Sequence, residues 1–231
     1  MWSPVKDHFY YFAYGSNLLK RRIRINNPTA EFMGIGKLNV SHSASFIFIK
    51  YQKIPRATCK RSSDPSSLQL SVDGAPLRGG HQLNFIKYSD HWRGSSATII
   101  PTESSYVWGA IWRLHNKDMI SLDWQEGVKD NWYFPKTVDV ITSDGNTVPC
   151  RTYQQTINPP LRKPNEDIPV ERRPSITYLD CILSGAKECN LPEDYIAELK
   201  KIPHNGQVAS PKMIEKLQMY NRFTRWKSQL I

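Results

Sequence analysis

No apolar run in the 231 residues approaches the roughly 18 needed to cross a bilayer, so a membrane partner is not expected. The first residues carry Lys6, Asp7 and His8 without an apolar core. No secretory signal is expected, and the setting is read as cytoplasmic. Cysteine is scarce. Cys59, Cys150, Cys181 and Cys189 form no CxxC pair and no disulfide framework, which fits reduced thiols. The six histidines include no HxxxH pair and no cysteine partner at ligand spacing, so no metal site is expected. There is no internal repeat, which sets aside solenoids and propellers.

What is present suits one globular domain. The chain is 39% hydrophobic and 11% aromatic, and its length allows one sizeable core. The net charge of +10 is unevenly placed. Residues 40–80 carry six Lys/Arg against two Asp, and Met219 to Ile231 add Arg222, Arg225 and Lys227. The rest is close to ordinary. With no zinc-finger or RRM-type motif beside the charge, no specific nucleic-acid partner is expected.

The aromatic run Phe9 to Phe12 reads as a strand. Tyr14-Gly15-Ser16-Asn17 then reads as a hard turn, with Gly15 free to take positive φ. Ser16 and Asn17 are candidate N-caps for a short basic helix over 18–25, whose Lys20, Arg21, Arg22 and Arg24 are expected on a solvated face. Hydrophobic patterning stops at Val40 and returns near Leu83. Residues 40–82 are therefore read as an insertion, mostly disordered, within a single domain spanning 9–215; residues 216–231 form a basic tail. Further strands are expected at 83–88, 96–100, 106–114, 133–141 and 147–154, the last two flanking the hairpin signal Asp144-Gly145. Asn116 is placed to cap a helix over 117–125, and Gly127 to end it. Helices are expected at 176–187, 193–202 and 211–221. This order argues for a mixed α+β domain with a small, mostly antiparallel barrel flanked by helices.

Two stretches carry the chemistry. A strand–turn–helix joint such as Tyr14 to Leu18 exposes backbone N–H groups that attract carboxylates, phosphates or a developing oxyanion, although the same pattern also makes an ordinary turn. About a hundred residues later comes Leu122-Asp123-Trp124-Gln125-Glu126-Gly127-Val128. Glu126 falls at the negative end of a short helix, where its pKa should rise, so that it can take and return a proton near neutral pH. A solvent-exposed helix end is the plainer reading of the same residue. Ser16 lacks a GxSxG context and any evident triad, which argues against a nucleophile.

Tyr11-Phe12-Ala13-Tyr14-Gly15-Ser16-Asn17-Leu18, taken with Ser121 to Val128, closely resembles the γ-glutamylcyclotransferases, which release 5-oxoproline from γ-glutamyl amino acids. The likeness extends to Val107-Trp108-Gly109-Ala110-Ile111-Trp112, Cys150-Arg151-Thr152-Tyr153, Gly185-Ala186-Lys187-Glu188 and Leu191-Pro192. Trp124 and Asn131-Trp132 depart from the pattern, and residues 40–82 and the tail have no counterpart in it. The resemblance implies a γ-glutamylcyclotransferase-like barrel, a homodimer, a small γ-glutamyl substrate and no cofactor or metal. It implies Glu126 as the proton shuttle. Tyr11, Phe12, Ala13, Tyr14, Gly15, Ser16 and Asn17 would bind substrate, together with Tyr133 and Tyr153 as hydroxyl donors. The neighbouring activity on γ-glutamylamines and a non-catalytic γ-glutamyl- or anion-binding module are the alternatives. The glutathione-specific branch fits less well, because its motif runs Leu-x-Trp where this chain has Asn17-Leu18-Leu19.

Overall fold

In the computed structural model, which describes residues 7–38, 79–103, 105–159 and 166–218, the aromatic run forms strand β1 (His8–Ala13). Ser16–Leu18 is one turn of 3-10 helix and Lys20–Arg24 is α1. The strands β2 (Glu31–Leu38), β3 (Gly79–Ser89), β4 (Gly94–Glu103) and β5 (Val107–His115) follow. Then come α2 (Met119–Gln125), β6 (Tyr133–Thr142), β7 (Thr147–Gln155), α3 (Ile176–Glu188) and α4 (Glu193–Lys200). Most of the expected insertion 40–82, and the tail beyond residue 218, lie outside the described residues. Residues 79–82 belong to β3 and pair with β4. Residues 216–218 continue a helical run from 211.

Five strands close into a barrel in the order β1-β5-β2-β6-β7. The seam between β1 and β7 is parallel, at Tyr11 and Arg151, and the other four pairings are antiparallel. The fold is therefore the expected mixed α+β barrel with helices around it. So small a barrel bends hard and leaves little room inside. Gly36 and Gly109 supply that room: a Cβ at Gly36 would stand 2.3 Å from Val140 Cγ1, and one at Gly109 would stand 2.4 Å from the Ala13 carbonyl and 2.7 Å from the Phe12 ring. The core holds Phe12, Ile111, Leu38, Val140 and Val148, all essentially buried. The β6–β7 turn contains Gly145 at φ +80, as its Asp-Gly signal demands.

β3 and β4 form a separate two-stranded ribbon. Gln155, buried at the end of β7, ties it down. Its N–H donates to Thr98 Oγ1 (2.9 Å), its Nε2 to the Ser96 carbonyl (3.1 Å), and its Oε1 accepts from Lys87 N–H (3.1 Å). This anchoring fixes Ala97 beside the end of β1.

The helical caps differ from the sequence expectation. Neither Ser16 nor Asn17 caps a helix through its side chain, and extended backbone at Leu19 separates the 3-10 turn from α1. Arg22 is buried, not on a solvated face. The segment before α2 begins as a 3-10 turn capped by His115, whose Nδ1 accepts from Lys117 N–H (3.1 Å). α3 starts at Ser175, whose hydroxyl accepts from Tyr178 N–H, and it buries Tyr178, Ile182, Gly185 and Ala186.

α3 packs against the 3-10 turn at backbone distance. A Cβ at Gly185 would lie 2.4 Å from both Leu18 C and Leu19 N. Gly185→Ala is therefore expected to destabilise the chain by about 1–3 kcal/mol by forcing helix and turn apart. Urea denaturation measures this, and an unchanged midpoint and slope would refute the close approach.

Candidate functional site

The turn after β1, the end of α2, the start of β6, the end of β7 and Ala97 of β4 meet at a small open pocket. Tyr11, Tyr14, Gly15, Ser16 and Asn17 form one wall, and Ala97, Glu126, Tyr133 and Tyr153 complete it. Seven of the residues singled out from sequence as substrate-binding thus converge with Glu126. Phe12 and Ala13 do not line the pocket. Both are fully buried, on opposite faces of β1, because the barrel covers one face of the strand and packed elements cover the other.

Gly15 is needed for space rather than for positive φ. Its φ is −106, and a Cβ there would lie 3.1 Å from Tyr178 Oη and 3.2 Å from Ala97 Cβ. Tyr178 reaches this point from α3, where its hydroxyl accepts from Ala97 N–H (3.0 Å). The first bond within the 3-10 turn runs from Leu18 N–H to the Gly15 carbonyl (3.0 Å). The amide groups before it have no acceptor inside that turn.

Glu126 caps the C-terminus of α2, and Gly127 follows at φ +62 to end the helix. Although the residue as a whole is half-buried, its carboxylate sits deep in the pocket wall. Oε1 accepts from Asn17 Nδ2 (3.0 Å) and Gln125 Nε2 (3.3 Å). Among the described residues no donor is placed on Oε2. Burial pushes the Glu126 pKa up, more than the Arg22 cation and these two N–H donors pull it down.

The tyrosines divide by where their protons go. Tyr133 Oη donates to the Ala97 carbonyl (2.6 Å) and accepts from Gln155 Nε2 (2.9 Å). Tyr153 Oη donates to Asp123 Oδ1 and accepts from Arg151 Nε (2.9 Å). Tyr14 Oη donates to the Tyr153 carbonyl. The hydroxyls of Tyr133 and Tyr153, expected as donors to a ligand, thus have protein acceptors in this structure. Tyr11 differs. Its hydroxyl accepts from Asn17 Nδ2 (3.0 Å), and burial, reinforced by the Glu126 charge, pushes its pKa well up, so it keeps its proton.

Sequence reasoning missed Ala97, Arg22, Gln125 and Tyr178. Gln125 stands next to Glu126 in the motif, which is a signal of sorts. Nothing local marks Ala97 or Tyr178, which arrive from the ribbon and from α3. Among the described residues no group of three or more His, Cys, Asp or Glu is placed to hold a metal, and no helix is long and apolar enough to cross a membrane.

Comparison with known proteins gives a consistent likeness. The AIG2-like family matches residues 106–199. The γ-glutamylcyclotransferase of Bos taurus is 33% identical over 199 residues, covering 86% of this chain and 81% of that protein. That of Homo sapiens is 32% identical over 202 residues, covering 87% and 82%. A solved structure of a γ-glutamyl cyclotransferase superposes with a TM-score of 0.65 at 29% identity, covering 92% of this chain and 99% of the other.

A carboxyl whose pKa is higher in the folded chain favours folding at acid pH, and that contribution is lost as pH rises through the folded value. Glu126→Gln keeps an oxygen for Asn17 and Gln125 while removing the charge. It is expected to raise the thermal unfolding midpoint by a few degrees at about pH 8, with the gain shrinking as the pH is lowered toward about 4. A variant less stable than the parent at about pH 8 would contradict the burial of this carboxylate.

Proposed function

The chain belongs to the γ-glutamylcyclotransferase family of enzymes, and on that premise we propose that it converts γ-glutamyl amino acids to 5-oxoproline and the free amino acid. The observation that carries this reading is Glu126, an acid held at a pocket wall by donors to one oxygen, with the other oxygen left without one.

In the proposed reaction the α-amine of the substrate attacks its own γ-carbonyl. A bond forms between that nitrogen and the carbonyl carbon, closing a five-membered lactam, and the bond from that carbon to the acceptor amino acid's nitrogen breaks. The nucleophile is tethered, so orientation supplies much of the rate, and the protein need not provide one. Glu126 takes a proton from the α-ammonium and returns one to the departing amine. A pKa raised by burial suits both steps. N–H groups of the turn around Tyr14, Gly15 and Ser16 hold substrate oxygens, including the oxyanion. Tyr11, with its proton unspent on the wall, is the hydroxyl donor on the substrate side. Asn17 orients both Tyr11 and Glu126. Tyr133 and Tyr153 contribute ring surface and rigidity. On this reading residues 9–215 make one domain that works as a cytoplasmic homodimer, without a metal or organic cofactor.

The test is release of 5-oxoproline from γ-glutamyl-L-alanine by the purified chain and by Glu126→Gln in parallel, with γ-glutamyl-ε-lysine and glutathione as further substrates. Release from the dipeptide is expected, with a loss of at least about 100-fold in the variant. Near-parental turnover by Glu126→Gln would remove the shuttle role, and no release from any of the three substrates would overturn the proposed activity.

A further inference from the structure

Behind Glu126 lies a cation that the reaction outlined above does not use. Arg22, 7% exposed, projects from α1 with its guanidinium carbon 5.6 Å from the centre of the Trp92 ring. Its Nη1 donates to Gln125 Oε1 (3.0 Å). Asn26 Nδ2 (3.2 Å) and Asn27 Nδ2 (3.4 Å) approach the same oxygen.

A guanidinium can only donate, so the Gln125 amide has one workable orientation, with its oxygen toward Arg22 and its nitrogen toward the pocket. In that orientation Gln125 Nε2 donates to Asn17 Oδ1 (3.0 Å) and to Glu126 Oε1 (3.3 Å). The Asn17 amide is then fixed in turn. Its oxygen is taken by Gln125, and its nitrogen donates to Glu126 Oε1 and Tyr11 Oη, each at 3.0 Å. Reversing Gln125 would set its oxygen against the carboxylate and its NH2 against the guanidinium. The direction of each bond therefore follows from the one member that has no lone pair to offer.

We propose that Arg22 is a positioning residue for the acid–base group: through Gln125 and Asn17 it holds Glu126 Oε1 with two N–H donors and leaves Oε2 to carry the proton. The proposal rests on the reading of Glu126 as the proton shuttle.

The other charges around this carboxyl are few. Asp123, on the same helix, opposes Arg22, and its carboxylate is itself held by Arg151 at 2.6 Å. Tyr11, Tyr14, Tyr133 and Tyr178 face Glu126 from β1, the turn, β6 and α3, and burial keeps all four neutral. Among the described residues Arg22 is the cation whose charge most favours ionised Glu126. Losing it, or the amide it orients, moves the titration upward.

The experiment follows the Glu126 side-chain carboxyl by carbon-13 NMR across pH in the parent, Arg22→Met, Arg22→Lys and Gln125→Met, with the pH dependence of kcat/KM for γ-glutamyl-L-alanine measured alongside. Arg22→Met and Gln125→Met are expected to raise the carboxyl midpoint by about one pH unit and to move the acid limb of kcat/KM with it. Arg22→Lys, which keeps a cation and a donor, should bring the midpoint to within about half a unit of the parent. Unmoved midpoints in folded Arg22→Met and Gln125→Met would overturn the proposal. Should Arg22→Met fail to fold, Gln125→Met decides alone, since it leaves the buried cation in place. The NMR midpoint needs no turnover. A midpoint that moves in a chain releasing no 5-oxoproline keeps the positioning and removes the activity; turnover with fixed midpoints does the reverse.

Discussion

A carboxyl set into a protein wall has to be either neutral or well supplied with donors, because a bare buried anion costs far more than a fold can offset. Glu126 sits between these limits. Burial favours its neutral form, while two N–H groups on Oε1 and a guanidinium one residue further back favour the anion. The surrounding architecture can be understood as what keeps those opposing effects in balance. Asn17 comes from the turn after β1, Gln125 from α2 and Arg22 from α1, so three elements have to be held in one place for one oxygen to be satisfied.

The barrel and α3 do that holding. β1 and β5 pair along the whole of β1, which fixes where the chain leaves the barrel to form the turn. Gly185 then lets α3 come down onto the Leu18–Leu19 backbone, and Tyr178 from the same helix supports Ala97 and fills the space that a side chain at Gly15 would need. On the far side, Gln155 locks Tyr133 and the β3–β4 ribbon to the end of β7. The turn is therefore clamped between a helix and a ribbon that are distant from it in sequence. This is why a segment with so little regular structure can present groups in a set geometry.

That distance in sequence also decides what could be read beforehand. The strands of the barrel, the Asp144-Gly145 hairpin and the Gly127 helix end were legible because period, turn chemistry and caps are local properties. The family motifs brought Tyr11 to Asn17 together with Glu126, and the structure places these residues, apart from Phe12 and Ala13, around one pocket. The run Lys20, Arg21, Arg22 and Arg24 carries no sign of which member turns inward, yet Arg22 does. Gly15 in a turn suggests a backbone role, but its constraint is the Tyr178 hydroxyl and Ala97, both distant in sequence. Asn17 looked like a helix cap, but its amide is committed to Tyr11 and Glu126. In each case a tertiary partner displaced a local preference.

Tyr14, Tyr133 and Tyr153 give their protons to protein acceptors, and the amides of Asn17, Gln125 and Gln155 are each held by several partners. A wall so fully bonded resists rearrangement, since moving any member strands another. Among the described residues, Glu126 Oε2 and the Tyr11 hydroxyl proton are left without a protein partner on this wall, while the Ser16 N–H and hydroxyl meet the Tyr178 oxygen. That set offers one basic atom beside a hydroxyl donor, and the Ser16 hydroxyl meets Tyr178, which burial keeps neutral and so unable to activate it as a nucleophile. The set suits a ligand that brings its own amine, to be relieved of a proton, and its own carbonyl oxygen, to be held as charge develops. Intramolecular lactam formation is a reaction that asks for those two services and needs no attacking group from the protein.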